Sequence, residues 1–412
     1  MKSHRALLWI VLGSLVACAS ERTGDRNGNG SAAPRDASPA DPTTTGRPGA
    51  SPPTDGGVGA GPAGAGDGGA APAIACTTSS EVVVYPRVGA ATDDIQVPQG
   101  PGLVLMGGGT DVDAAFVWMH DTMAGTASAP AGDLVVVRAS GDNAYDAYAY
   151  ALAPFQSVRT IVVGATATAA DLACAAAVVA EAEGVFFAGG DQSRYVAFRG
   201  TPLMQAVQHV YDRGGVVGGT SAGCAILGEF VYDSLSAGAT NVATADAIAS
   251  PFEAAISFTR GMFRFPPLLG VITDPHFHPR DRMGRLASFM ARQHADGAVT
   301  RTPAAVLGIG VDEKNAVVID KNGIASLLQQ APGSGAAFFV SGAVPTQCEA
   351  GKPLVYRHLR VERLESAAQT LSLHTWCGNG TVYGLDVFGD APPPYSPSNP
   401  YAAGADGTVC VP

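Results

Sequence analysis

The sequence predicts an α/β fold in which a mostly parallel sheet is flanked by helices. Short uninterrupted apolar runs recur along the chain, and Gly102-Leu103-Val104-Leu105-Met106 is the strongest of them. Such runs are typical of strands that are covered on both faces. They alternate with helical segments, which favours parallel strands joined by helical crossovers. The chain has 412 residues, 46% of them hydrophobic, which is enough to bury a sizeable core.

The N-terminal residues predict export. Lys2 and Arg5 precede an apolar run over residues 6–16, which is too short to span a bilayer. The run ends in Leu15-Val16-Ala17-Cys18, which resembles a bacterial lipoprotein box. We therefore expect residues 1–18 to be a signal peptide and Cys18 to be lipidated, which would anchor the protein at the periplasmic membrane or the cell surface. An ordinary secretory signal is the alternative.

Composition divides the rest of the chain into three parts. Residues 19–75 are nearly all small, polar or proline, so they cannot bury enough apolar surface to fold and are expected to form a disordered tether. An α/β domain is expected over residues 76–344 and a cysteine-containing C-terminal extension over 345–412. The formal net charge of −11 argues against nucleic acid as a partner, because phosphate binding needs clustered cations.

Six cysteines remain once Cys18 is assigned to lipid. Export places them in an oxidising compartment, where disulfides form. Three of them, Cys348, Cys377 and Cys410, lie in the C-terminal part, where the hydrophobic pattern is weakest. We expect at least one disulfide there.

The predicted elements follow the alternating pattern from residue 81 onwards. Strands are expected over residues 81–85, 102–106, 133–138, 159–163, 185–188, 216–218 and 271–273, and helices over residues 169–183 and 203–212 and from Ala222. Beyond residue 301 the turns shorten, and strands over 305–311, 316–320, 324–328 and 336–340 are expected as antiparallel strands on the edge of the sheet. No structure is predicted for the last stretch of the chain.

A candidate nucleophile follows the strand at 216–218. Gly219-Thr220-Ser221-Ala222-Gly223 fits the pattern G-x-S-x-G between an apolar strand and a small-residue helix. A serine on such a tight turn has a strained backbone that only small neighbours permit, and its hydroxyl is exposed at the start of a helix. We therefore predict Ser221 to be the nucleophile of a hydrolase.

The candidate base is His276. It follows the strand at 271–273, so it is expected at the same carboxyl edge as Ser221, where ligand and catalytic groups gather in open α/β sheets. A metal pair with His278 is disfavoured because no third ligand follows at a suitable spacing, and neither a metal nor another cofactor is expected. Gly107-Gly108-Gly109 does not complete a dinucleotide motif, since Val112 stands at the third glycine position.

Several ordered motifs resemble the cyanophycinases, relatives of dipeptidase E among the serine peptidases with a class I glutamine amidotransferase-like, flavodoxin-like fold. The motifs are Phe186-Phe187-Ala188-Gly189-Gly190-Asp191-Gln192, the serine turn, Asp274-Pro275-His276-Phe277 with the arginines that follow, and Gly308-Ile309-Gly310-Val311-Asp312-Glu313. The resemblance implies hydrolysis of cyanophycin, an aspartate polymer carrying arginine side chains, or of a similar β-aspartyl peptide. A peptide or polymer substrate is thus the expected partner, and a homodimer is left open.

The resemblance also implies roles for individual residues. Ser221 would be the nucleophile and His276 the base, and backbone N–H groups near Gly190 and of Ala222 would form the oxyanion hole. Substrate-binding positions are matched by Gln192, Asp274, Arg280, Arg282 and Arg285. Pro275 stands where the family commonly has Gln.

The resemblance implies that the acid of the triad lies between the serine and the histidine, about two dozen residues before the histidine. Glu253 has that spacing, and Asp246 and Asp233 remain alternatives.

The arginines have a physical interpretation of their own. Arg282 and Arg285 are three residues apart near a predicted helix start, where cations oppose the helix dipole. Binding a substrate carboxylate would explain them. Salt bridging, with Asp281 as a local partner, is the alternative. The sequence therefore predicts an exported serine peptidase, with an α/β-fold esterase or a catalytically inactive binding lipoprotein as competing hypotheses.

Overall fold

The computed structural model describes residues 76, 79–93, 96–126, 131–236, 242–299 and 305–410. The predicted signal peptide with Cys18 and the predicted tether over residues 19–75 lie outside these residues. The strands of the described part are β1 Val82–Val84, β2 Val88–Gly89, β3 Gly102–Met106, β4 Ala131–Arg138, β5 Phe155–Val163, β6 Gly184–Phe187, β7 Val216–Thr220, β8 Phe230–Tyr232, β9 Phe258–Arg260, β10 Val271–Asp274, β11 Val306–Val311, β12 Asn315–Ile319, β13 Ile324–Gln329, β14 Ala337–Gly342, β15 Val355–Leu364, β16 Thr370–Ser372, β17 Cys377–Gly378, β18 Thr381–Phe388 and β19 Tyr395–Ser396.

Helices connect the strands of the first half. They are α1 Asp113–Ala124, α2 Ala144–Leu152, α3 Ala169–Ala180, α4 Gln192–Val196, α5 Pro202–Asp212, α6 Ala222–Ala225, α7 Thr244–Ala249 and α8 Met283–Ala295, with 3-10 turns at Pro266–Leu268 and His278–Arg280. In the part of the chain that is described, no helix combines the length and apolarity needed to cross a membrane.

The first sheet is the predicted parallel core. Its strands lie in the order β1-β5-β4-β6-β7-β3-β12-β13-β16-β17, with β2 also paired to β5. The five strands from β5 to β3 are mutually parallel, while β12 runs antiparallel to β3. The predicted α/β class, with a largely parallel sheet between helices and antiparallel strands toward the C-terminus, is confirmed.

Both faces of this sheet are covered, which explains its uninterrupted apolar strands. Leu103 and Leu105 of β3 pack into the core on the side of α3 and α5. Val104 and Met106 point to the other side, where they join the core formed with α1. Alternate residues of this strand therefore pack into two different cores, as expected for a strand with neither face exposed to solvent.

A second sheet was not predicted. Its order is β19-β18-β15-β14-β11-β10-β8-β9, with β10 parallel to β8 and β11 and antiparallel pairing elsewhere. Strand β11, expected with the edge hairpins of a single sheet, is parallel to β10 in this second sheet. The two sheets share a core in which Val217 of β7 and Ile309 of β11 belong to one cluster.

The C-terminal residues are built into both sheets. Strands β16 and β17 extend the first sheet, whereas β15, β18 and β19 extend the second. The expected C-terminal disulfide is confirmed between Cys377 and Cys410, and a second disulfide joins Cys76 to Cys174. Cys224 and Cys348 are free thiols.

Candidate active site

Ser221 stands on a strained turn between β7 and α6. Its backbone has φ 52° and ψ −116°, a conformation that a residue with a Cβ seldom adopts. Its N–H donates to the carbonyl of Met106 at 3.1 Å, which fixes the turn against the end of β3. The predicted strained serine turn is therefore present.

The glycines on either side of Ser221 are required by packing. A Cβ on Gly219 would lie 2.5 Å from the carbonyl carbon of Gly223. A Cβ on Gly223 would lie 2.2 Å from the carbonyl oxygen of Phe187. Both distances are far below van der Waals contact, so the turn can close only with glycine at these two positions.

His276 reaches Ser221 from the second sheet. It lies two residues after β10, and its backbone also has a positive φ of 51°. Its Nε2 is 2.7 Å from Oγ of Ser221. The two groups were expected at one edge of a single sheet; they meet instead where the carboxyl ends of β7 and β10, in different sheets, come together.

The Gly107-Gly108 segment packs against the imidazole of His276. The N–H of His276 donates to the carbonyl of Gly107 at 2.8 Å. A Cβ on Gly108, which has φ +91°, would lie 2.3 Å from Cε1 of the imidazole. The glycine run that fails as a dinucleotide motif thus provides a side-chain-free surface for the catalytic candidate, a role that sequence reasoning missed.

Glu313, not Glu253, is the carboxylate on His276. Glu313 follows β11, and its Oε1 lies 2.6 Å from Nδ1 of His276. Because β11 is parallel to β10 and adjacent to it, the ends of the two strands bring these side chains together. A carboxylate only accepts, so Nδ1 carries the proton and Nε2 is left to accept from the serine hydroxyl.

The three acids considered from the sequence lie elsewhere. Glu253 is solvent-exposed in a turn after α7, and Asp246 is exposed on α7. Asp233 is buried, but its carboxylate accepts hydrogen bonds from the hydroxyls of Ser257 and Thr259. The expectation of an acid before the histidine, which the resemblance implied, is not met: the carboxylate that contacts His276 follows the neighbouring strand β11, later in the chain.

Burial sets the protonation of His276. Desolvation lowers the pKa of its imidazole below the usual value, and the positive charges of Arg280 and Arg282 act in the same direction. The hydrogen bond to Glu313 opposes them by favouring the charged ring. The imidazole is therefore neutral at neutral pH, which is the state that can take a proton from Ser221.

Asp274 forms ion pairs with two of the predicted arginines. Arg285 donates from Nε to Asp274 at 3.0 Å and makes a second, close contact through its terminal nitrogen. Arg282 contacts Asp274 at 3.3 Å and donates to the Pro275 carbonyl at 2.6 Å. All three charged side chains are buried, and desolvation lowers the pKa of Arg282 to about 10. The salt-bridge interpretation holds for both arginines, with Asp274 rather than Asp281 as partner.

Arg280 and Gln192 complete this side of the site. Arg280 keeps 45% of its side chain exposed and lies 3.9 Å from the Glu313 carboxylate. The Gln192 amide donates to Ser234 Oγ at 2.9 Å. Together with Gly190 and Ala222, they line a polar cavity of about 80 Å³ that includes Ser221 and His276. We call this cavity the arginine pocket; it contains every predicted binding and oxyanion residue.

A second cavity is also lined by Ser221 and His276. It has a volume of about 280 Å³ and is also lined by Asp111, Arg138 and Tyr145. We call it the Asp111 pocket. A larger cavity of about 830 Å³, lined by Arg199, Arg260 and Arg264 among others, contains neither the serine nor the histidine.

Two C-terminal tyrosines hold the turn that carries the arginines. Asp281 has a left-handed backbone with φ 45°, and its carboxylate accepts hydrogen bonds from Tyr401 at 2.8 Å and Tyr395 at 3.1 Å. Tyr401 also accepts from the Met283 N–H at 2.9 Å and stacks on His278. These contacts, across more than a hundred residues of chain, were not visible in the sequence.

Nucleophilic attack by cysteine finds little support in the site. The Cys224 thiol is fully buried in α6, and burial raises its pKa, so it is a poor nucleophile. Within the described ranges no three His, Cys, Asp or Glu side chains are grouped as metal ligands would be.

Comparison with known proteins confirms the resemblance in sequence. The chain is 33% identical to the cyanophycinase of Synechococcus elongatus over 147 residues, which are 35% of this chain and 38% of the relative. It is 32% identical over 187 residues to the cyanophycinase of Geminocystis herdmanii, covering 44% of this chain and 59% of the relative. The cyanophycinase of Nostoc sp. is 32% identical over 189 residues, with 44% and 54% covered. The chain thus spans between about two-fifths and three-fifths of the length of these relatives.

Solved structures give a weaker likeness, and no family model matches the chain. A peptidase from an acI-B1 Actinobacterium is 16% identical with a TM-score of 0.39, covering 67% of this chain and 98% of that one. A putative peptidase E protein from Listeria monocytogenes EGD-e is 13% identical with a TM-score of 0.35, covering 56% and 98%.

Proposed function

We propose that this protein is a serine peptidase that uses Ser221, His276 and Glu313 as a catalytic triad. One observation carries the proposal: a strained serine, an imidazole and a carboxylate form a continuous chain of hydrogen bonds of 2.7 and 2.6 Å. This is the arrangement of nucleophile, base and orienting acid that recurs on unrelated folds. The sequence similarity to cyanophycinases supports the same activity.

In the proposed mechanism each group has one role. The Ser221 oxygen attacks the scissile carbonyl while His276 takes the hydroxyl proton. His276 then gives that proton to the leaving amine. Glu313 holds the imidazole in the required tautomer and stabilises the imidazolium that forms. In the second half of the reaction His276 takes a proton from water as the water oxygen attacks the acyl group, and it returns this proton to the Ser221 oxygen as the ester bond breaks and the acid is released.

The negative charge of the tetrahedral intermediate needs donors already in place. We assign this role to backbone N–H groups of Ala222 and of the turn at Gly190. Both residues line the arginine pocket beside Ser221. Gly190 has φ +136°, a backbone conformation that only glycine readily adopts.

The arginine pocket favours an anionic part of the substrate. Three arginines line it against one aspartate, and Arg280 is the exposed member. A guanidinium fork binds a carboxylate in bidentate fashion. We propose that the substrate is a β-aspartyl-arginine polymer of the cyanophycin type, with a substrate carboxylate held by Arg280. Pro275 also lines this pocket, and we propose that it contributes to the choice among such polymers.

The site of action is proposed to be outside the cytoplasm. The apolar run before Cys18 and the lipoprotein-like box support export and lipidation. Two disulfides in the folded part are consistent with an oxidising compartment. Metabolic labelling with a radioactive or alkyne-bearing fatty acid tests the anchor: the wild type should incorporate the lipid, and Cys18→Ala should not.

Release of soluble dipeptide from insoluble cyanophycin tests the activity. The wild type and Ser372→Ala, a serine on β16, should release dipeptide, whereas Ser221→Ala should release none. A fluorophosphonate should label the first two proteins and leave Ser221→Ala unlabelled. If the wild type is neither labelled nor active, the serine peptidase proposal is wrong. If it is labelled but releases nothing, only the substrate assignment is wrong.

A further inference from the structure

The cavity of about 830 Å³ outside the catalytic residues is rich in cations. We call it the Arg199 cleft. Its apolar lining includes Phe263, Leu269 and Leu373. Among the residues that the structure describes, its charged and titratable lining is three arginines and a histidine against one carboxylate, namely Arg199, Arg260, Arg264, His374 and Glu229. The chain as a whole has a formal net charge of −11, so this local excess of cations indicates a surface that attracts anions.

The carboxylate in the cleft is already engaged. Glu229 pairs with Arg260 at 3.4 Å and accepts a hydrogen bond from the Gly270 N–H at 2.5 Å. Arg199 and Arg264 are exposed, and neither forms an ion pair with any residue in the described part of the chain. Two guanidinium groups without a carboxylate partner therefore line the cleft. The guanidinium fork is the group that best matches a carboxylate.

Hydrogen bonds hold the backbone that carries these arginines. The Arg264 N–H donates to the Gln208 side-chain oxygen at 2.7 Å, and the Arg264 carbonyl accepts from the Gln208 amide nitrogen at 3.4 Å. The 3-10 turn Pro266–Leu268 follows directly. Gly261, with φ +72°, leaves room beside the Arg199 guanidinium, which would lie 3.8 Å from a Cβ at that position. A ligand in the cleft therefore meets a frame that is already formed, which reduces the cost of binding.

Strand β8 relates the cleft to the catalytic residues. Glu229, directly before β8, lines the cleft, whereas Tyr232 at the other end of β8 lines the arginine pocket together with Ser221. A strand rises about 3.3 Å per residue, so about 10 Å of backbone separates the two cavities. An extended polymer covers that distance with about three residues. One polymer chain is therefore long enough to occupy both cavities.

We propose that the Arg199 cleft is a second binding site for the polymer substrate, in which carboxylates outside the scissile unit are held by Arg199 and Arg264. The inference rests on the proposed function and goes beyond it, since the cleft contains neither Ser221 nor His276. Two contacts to one chain raise each other's effective concentration, so a site without chemistry still strengthens the binding of a long substrate. A short ligand at Ser221 gains nothing from the cleft.

A comparison of polymer turnover with serine reactivity tests the cleft. The double variant Arg199→Gln/Arg264→Gln removes both unpaired guanidinium groups. The matched control Lys352→Gln/Arg357→Gln removes two exposed cations that pair with Glu349 and Asp386 instead. The apparent KM for cyanophycin should rise at least about tenfold in the cleft variant, because two hydrogen bonds to charged groups are lost, and less than about twofold in the control.

The other rates should stay constant. The kcat at saturating polymer and the rate of labelling by a small neutral fluorophosphonate should remain within about twofold of the wild type in both double variants. An unchanged KM in the cleft variant would overturn the proposal. A labelling rate that falls in parallel with kcat/KM would also overturn it, because the arginines would then support the fold of the catalytic residues.

Calorimetric titration with poly-L-aspartate tests the cleft without turnover. The wild type and the control should bind this polycarboxylate with an affinity that falls as salt rises, and the cleft variant should bind at least about tenfold more weakly. If this pattern is found but Ser221 is not labelled, the serine peptidase proposal fails and the cleft stands as a polycarboxylate site. No binding to the wild type would overturn the cleft, and so would tighter binding of a polyphosphate of equal charge, which would assign the cleft to phosphate ligands.

Discussion

Replacing Glu313 with Gln tests the proposed triad most sharply. The change keeps the shape of the side chain and removes its charge, next to an imidazole nitrogen 2.6 Å away. The neutral amide can no longer stabilise the imidazolium that forms when His276 takes the serine proton. An amide that turns its NH₂ group toward Nδ1 would also favour the wrong tautomer.

The magnitude follows from this role. Removing the acid from a Ser-His-acid triad typically lowers kcat by about ten-thousandfold to thirty-thousandfold. This corresponds to about 5.5 to 6 kcal/mol of lost transition-state stabilisation. The fold should survive, because 29% of the Glu313 side chain is exposed and its partners are the imidazole and, at 3.9 Å, Arg280.

Two assays measure the effect. The first is the rate of dipeptide release from cyanophycin, and the second is the rate of fluorophosphonate labelling, which does not depend on the identity of the natural substrate. Glu253→Gln is the matched control, because it makes the same chemical change at the acid that sequence spacing suggested. Glu253 is exposed, so its variant should retain both rates within about twofold of the wild type.

The reasoning would be refuted by the reverse pattern. If Glu313→Gln keeps both rates within about threefold while Glu253→Gln loses them, the hydrogen bond seen at Nδ1 does not serve catalysis. Circular dichroism and the melting temperature of both variants show whether either loss comes from misfolding.

Three other predictions concern the residues around the His276 imidazole and the C-terminal disulfide. Arg280→Met removes a positive charge that lowers the pKa of His276, so the acid limb of the kcat/KM profile should move to higher pH, whereas loss of Glu313 should move it to lower pH. Gly108→Ala forces a Cβ to 2.3 Å from the imidazole and should lower fluorophosphonate labelling at least about a hundredfold. Gly333→Ala, also at positive φ but with no atom within 4 Å of the new Cβ, should lose only stability. Replacing both cysteines of the Cys377–Cys410 disulfide with serine should lower the free energy of unfolding by about 3 to 4 kcal/mol in denaturant titrations, from the entropy of a loop closed across 33 residues.

Much of the first sheet was readable from the sequence because its signals are local. The strand over Gly102–Met106 was predicted at its observed bounds, since a buried parallel strand needs an uninterrupted apolar run. The serine turn was also readable, because its glycines are demanded by contacts within a few residues. Helix α1, by contrast, was missed: its apolar residues show little helical periodicity, since tertiary packing rather than pattern fixes it.

What the sequence could not supply was pairing between distant strands. Glu313 belongs to one of the motifs that carry the resemblance, but the sequence alone gives it no role, because only the parallel pairing of β10 with β11 shows that it lies beside His276. The same holds for Tyr395 and Tyr401, which contact Asp281 from the last part of the chain. Non-local contacts of this kind carry no periodic signal, so spacing arguments favoured a nearer acid.

The division of the proposed triad between two sheets has a consequence for how the proposed activity would be lost. Ser221 belongs to the end of β7, while His276 and Glu313 follow strands of the other sheet. A slide of one sheet past the other by about an ångström would break the serine–imidazole hydrogen bond and leave both hydrogen-bonded ladders intact. During gentle heating, turnover would then cease while the far-ultraviolet spectrum stays native, so inactivation would report on the interface rather than on unfolding.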